Sequence, residues 1–61
     1  MSTVADGKRL IHEFDIKYEA GIIERELWIR QIEEGLRLIS LEDMKQAKRI
    51  AKSRGLDIPK E

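Results

Sequence analysis

Four cations, Lys45, Lys48, Arg49 and Lys52, recur at i, i+3, i+4 and i+7, a spacing that lays them within about 100° of the circumference of one helix. Between Met44 and Arg54 the chain carries no acid. Such a stripe supports two kinds of binding. Along a nucleic-acid backbone each neutralised phosphate releases counterions, so affinity falls with salt. On a protein the same stripe docks an acidic surface. The bland alternative is a solvated face, because cations toward the end of a helix suit its dipole. No aromatic residue interrupts the stripe to stack on bases, which argues against single-strand recognition. The start of the segment, Leu41-Glu42-Asp43, places two acids where a DNA-reading helix presents polar base-contacting side chains. Contact with protein is the first expectation for this stripe and nucleic acid the second.

Catalytic constellations are missing. His12 and Glu13 are neighbours in sequence, and adjacent helical positions point in different directions. Glu33-Glu34 is a solvated edge with no second charge partner to make it an acid/base pair. The four glycines are spread out with no phosphate-cradling spacing, and there is no Cys. His12 stands without a second ligand at zinc-binding spacing. A helical chain of 61 residues also struggles to enclose a substrate pocket of about 300 Å³ or more. The expectation is a non-enzyme with no cofactor, metal or small-molecule substrate.

Twelve basic and twelve acidic residues cancel, so no global field draws the chain to nucleic acid or membrane. The opening MSTVADGK lacks the basic and apolar parts of a secretory leader. No run approaches the ~20 apolar residues of a membrane span, and a cytoplasmic location without membrane contact is expected. Small size matters more. A single core in so short a chain rarely supplies more than about 3–5 kcal/mol, so self-association has to be considered from the outset.

Helix signals divide the chain in three. Thr3-Val4-Ala5-Asp6 fits a capping box, and Val4, Leu10, Ile11, Phe14 and Tyr18 then share one face. Gly7 lies on that face, where its missing side chain permits close approach of a neighbour. Gly21 suits the left-handed residue that stops a helix, with Ile22 folding back on the preceding turn. A second helix carries Glu26/Arg30 and Glu33/Arg37 as i,i+4 pairs on its solvent side. Ser40-Leu41-Glu42-Asp43 reads as another capping box, and Gly55 followed by Leu56 as another stop. Ile58-Pro59 reads as extended, since the residue before proline disfavours helix. The spacing predicts one all-α domain, a small three-helix bundle built on a helical hairpin. Its helices fall near 3–18, 23–38 and 41–54, with a tail over 55–61.

The middle helix has more apolar surface than one neighbour can cover. Trp28, Ile29, Ile32, Leu36 and Ile39 share one face with Gly35 at its edge. Leu27 and Leu38 project elsewhere, joined by Ile23 if the helix begins early. Two ridges imply two neighbours. Either the third helix covers the Ile23/Leu27/Leu38 ridge, or the ridge binds a protein partner or a second copy in a homodimer.

Leu10-x-x-x-Phe14-x-x-x-Tyr18-Glu19-Ala20-Gly21-Ile22-Ile23-x-x-x-x-Trp28 resembles the SHOCT type of short helical hairpin. The likeness runs from Leu10 to about Leu36. The chain departs from the pattern with Glu24 in place of a capping Ser or Thr, and with its third helix. What the resemblance implies is binding or oligomerisation and no catalysis. Together these features predict a small protein-interaction or oligomerisation module. The alternatives are nucleic-acid binding through Lys45, Lys48, Arg49 and Lys52, or an inhibitor or adaptor of a larger complex of the kind viruses and mobile elements encode.

Overall fold

The computed structural model describes residues 2–58, as three helices in the order α1 (Thr3–Glu19), α2 (Arg25–Ser40) and α3 (Met44–Ser53). The fold is the expected all-α three-helix bundle on a hairpin. Its middle helix is the hub. Both α1 and α3 pack on α2, whereas no Cα of α1 comes within 8 Å of one of α3. The core is one cluster, in which Ile11 from α1, Trp28, Ile32, Leu36 and Ile39 from α2, and Ala47 and Ala51 from α3 are buried. Ile32, Leu36 and Ile39 are fully excluded from water, each contributing about 1.5–3 kcal/mol on transfer from solvent. Two alanines on α3 let its backbone lie close to α2.

The hairpin is closed at its corner by backbone geometry. Gly21 has φ +74°, Gly21 N–H donates to Tyr18 O at 3.1 Å, and Ile22 N–H donates to Lys17 O at 3.0 Å. These are the paired bonds of a Schellman stop, satisfying carbonyls the helix leaves orphaned. The Ile22 side chain does not fold back as expected; it is 71% exposed. Ile23 packs on the core in its place. The same stop recurs after α3, with Gly55 at φ +70° and Leu56 N–H donating to Ala51 O at 2.9 Å. Of the expected tail, the part from Pro59 on lies outside the described residues.

Along the hairpin the two helices touch backbone to backbone. A Cβ built on Gly7 would lie 2.5 Å from Gly35 O and 2.6 Å from Ile39 Cγ1, and one on Gly35 would lie 2.6 Å from Ile11 Cγ1. The close approach expected at Gly7 is therefore met by a second glycine on α2.

Four helix ends differ from the sequence reading. α1 is capped one residue earlier, by Ser2, whose Oγ accepts from Ala5 N–H at 3.3 Å. Helix α2 starts at Arg25, because Ile22–Glu24 are needed for the corner, and its cap residue Glu24 makes no side-chain cap bond. At the other end α2 runs on through Ser40, whose hydroxyl bonds back to Arg37 O at 2.8 Å. Residues 41–43 form the turn, and Asp43 caps α3 by accepting from Gln46 N–H at 3.1 Å. The signal at Ser40 was a capping residue read three positions too soon.

The turn frees Glu42 for another task. Its carboxylate accepts from the backbone N–H groups of Thr3 and Val4 and from the Thr3 hydroxyl. A side chain from the α2–α3 turn thus satisfies the amides at the start of α1. The Thr3 hydroxyl bond holds the Glu42 carboxyl below its ordinary value, with backbone donation from Thr3 adding to it. Glu42→Ala is expected to fray the first turn of α1 while leaving the core intact. Amide exchange at Thr3 and Val4 should quicken, with the amides of Ile32 and Leu36 unchanged; equal loss of protection at both places would refute a local capping role.

Candidate functional site

The most polar junction inside the bundle centres on Asp15. Trp28 Nε1 donates to Asp15 Oδ1 at 2.9 Å, and Arg54 donates to the same carboxylate from Nε at 3.2 Å and from its terminal nitrogen. One carboxylate therefore joins α1, α2 and the residue that ends α3. Burial raises the Asp15 pKa, but the hydrogen bonds from Arg54 and Trp28 and the Arg54 charge outweigh it, leaving the carboxyl below its ordinary 3.8. Tyr18 stacks on Trp28 with ring centroids 4.5 Å apart and planes inclined by 14°. The arrangement is saturated. No buried side-chain nitrogen or oxygen lacks a partner among the described residues. It ties the three helices together. Among the described residues, no cluster of three or more His, Asp or Glu side chains could hold a metal.

The sequence-derived ridge is split by the structure. Ile23 belongs to the core, packed on its buried cluster. Leu27 is 39% exposed and Leu38 is half-buried. Helix α3 does not cover them. It runs beside Arg37 and Ser40 of α2, with which Met44, Lys48, Ala51 and Lys52 line a common groove. At 100° per residue, Ser40 lies about 160° around α2 from Leu38. The reason is the helix extension described above. Two residues beyond Leu38 turn the exit of α2 by about 200° and send α3 down the opposite flank.

That groove holds about 1060 Å³ and is lined by Leu41, Met44, Ala51, Leu56 and Ile58 among others. Leu41 and Met44 at its mouth are 60% and 46% exposed. The predicted basic residues lie on α3, part of which lines it. Lys45, Lys48, Arg49 and Lys52 are all exposed, and among the described residues none forms an ion pair. Lys48 and Lys52 line the groove directly. The sequence reading located the cations but not the groove beside them. The missing signal was the fold-back of Leu56–Ile58, which supplies the far wall.

Arg37, assigned to a pair with Glu33, forks onto Glu34 one turn away, at 3.2 Å from Nε and 2.7 Å from its terminal nitrogen. No helix is long and apolar enough to cross a membrane among the described residues. Comparison with family models, curated proteins and solved structures gives no match to this chain.

Proposed function

We propose that this chain is a small, non-enzymatic protein–protein interaction or oligomerisation module acting in the cytoplasm. The observation that carries the proposal is the set of large apolar side chains left outside a closed core: Ile16, Ile22, Leu27, Leu41 and Met44. Single exposed leucines are ordinary on protein surfaces. Five on so small a body, two of them at the mouth of an apolar groove, are what a binding surface supplies. The SHOCT-like hairpin pattern points the same way, and the saturated polar junction at Asp15 offers no competing chemistry.

Leu27→Glu and Met44→Glu both fall outside the buried cluster, so each variant should keep its helical circular dichroism and its thermal transition. Each is expected to lower the weight-average mass measured by sedimentation equilibrium from micromolar to millimolar protein, or to lower capture of a specific partner from source-cell extract. Unchanged association in both variants, or a monomer that captures nothing, sinks the proposal. A second reading is favoured by the free basic stripe, namely nucleic-acid contact through Lys45, Lys48, Arg49 and Lys52. Its signature in the same experiment is salt-sensitive retention of a duplex that Met44→Glu leaves untouched and Lys48→Glu abolishes.

A further inference from the structure

The exposed apolar residues fall into two groups of opposite charge. Ile16, Ile22 and Leu27 surround the hairpin corner, where Glu19, Glu24 and Glu26 are all exposed and none is engaged in an ion pair among the described residues. Arg25 is the one cation between Lys17 and Arg30, and it is turned onto Tyr18 and Trp28, with Nη1 at 3.4 Å from the Tyr18 hydroxyl and the guanidinium 5.8 Å from the Trp28 ring. Leu41 and Met44 are exposed in the groove, whose charged lining is Arg37, Lys48 and Lys52 against one acid, Asp57. The corner projects, with Ile22 71% exposed at its tip. The groove is concave. The corner and the α2–α3 turn lie at opposite ends of a helix of 16 residues, about 24 Å apart; α3 runs back toward the corner, where Glu19 shares a recess with Ser53 and Arg54, but among the described residues no ion pair joins Glu19 or Glu24 to Lys48 or Lys52.

From this complementarity of shape and charge we infer that a second copy of the chain occupies the groove, its acidic hairpin corner inserted with Ile22 between Leu41, Met44 and Leu56 while Glu19 and Glu24 meet Lys48 and Lys52. The inference rests on the interaction-module reading and gives that module its partner. The contact is heterologous, joining different patches on the two copies. Two copies set antiparallel close it reciprocally into a dimer, and a repeated one-way contact builds a chain. Both use the same corner and groove. Because exposed ion pairs are screened by salt, association weakens as ionic strength rises.

A charge-swap experiment tests it. One variant carries Lys48→Glu and Lys52→Glu, the other Glu19→Lys and Glu24→Lys, all at exposed positions outside the core, with folding checked by circular dichroism. In sedimentation velocity at low salt the parent chain is expected to associate. Each variant alone should associate about ten-fold more weakly or worse, a change of about 1.4 kcal/mol. Mixing the two should restore a heteromeric species, because each supplies a patch of the sign the other needs. A parent chain that stays monomeric to millimolar concentration overturns the inference, as does an equimolar mixture that stays monomeric. Association unaffected by either reversal but lost in Leu27→Glu also overturns it while leaving the interaction module standing.

Discussion

Gly7→Ala is expected to destabilise the protein by about 1–2 kcal/mol, although alanine is the better helix former. Relief of glycine's backbone entropy favours the substitution by about 0.5–1 kcal/mol. Against this, the new methyl would sit 2.5 Å from the Gly35 carbonyl oxygen and 3.2 Å from Ile39 N. Backbone atoms inside a packed helix cannot step aside as a side-chain tip can. The two helices must separate, and overpacking of this kind costs about 1–3 kcal/mol, occasionally more. The loss is a large share of the about 3–5 kcal/mol that a core of this size supplies. Thermal unfolding followed by circular dichroism should show a midpoint lower by about 4–16 °C, at roughly 4–8 °C per kcal/mol for a domain of this length. Gly21→Ala makes the contrast. It meets open space but must hold φ +74°, so only a conformational penalty of about 1–2 kcal/mol applies. A Gly7→Ala variant as stable as the parent would show that the helices do not approach so closely.

Asp15→Asn is the second large effect. The amide still offers an oxygen to Trp28 Nε1, but the charged bond to Arg54 is gone. Side chains 26% and 24% exposed for Arg54 and Asp15 remain partly hydrated, so the lower part of the range for charged hydrogen bonds applies, about 1–2 kcal/mol. The effect should depend on pH in one direction. With its folded pKa below the ordinary 3.8, the Asp15 carboxylate contributes stability that is complete above the unfolded value of about 3.9 and is lost as pH falls through the folded value. Urea midpoints of parent and variant should therefore differ most near neutrality and converge below about pH 4. Glu34, Glu42 and Asp43 are lowered too, so both proteins lose stability in acid. A gap that persists unchanged at pH 3 would show that the Arg54–Asp15 pair is not its source.

Much of the architecture was legible because its determinants are local. Gly21-Ile22 and Gly55-Leu56 each follow the end of an amphipathic run, and both glycines end helices as expected, whereas Gly35-Leu36 lies on the apolar face within α2. The apolar face of Trp28, Ile32, Leu36 and Ile39 needed only helical periodicity. The capping residues were harder to read, because a hydroxyl followed three positions later by an acid occurs in overlapping registers. Ser2 and Thr3 compete at the first helix. The winner is decided by Glu42, 39 positions away from Thr3, which no local pattern reports. At Ser40 the acid supposed to complete the box, Asp43, is itself the cap. That shift of a few residues governs which flank α3 covers, and hence which apolar residues stay open. The basic stripe was visible from spacing alone, whereas the groove beside it depends on three segments brought together by the fold.

Helix α3 is tied to α1 through one side chain before it and one after it, Glu42 at Thr3 and Arg54 at Asp15, with no backbone apposition between the two helices. Its remaining hold on the molecule is the flank of α2. Exchange of amide hydrogens should therefore resolve two cooperative units, the α1–α2 hairpin opening only with global unfolding and α3 opening earlier. Such opening would release both polar ties in one event and expose the buried faces of Ala47 and Ala51 without disturbing the glycine-to-glycine seam.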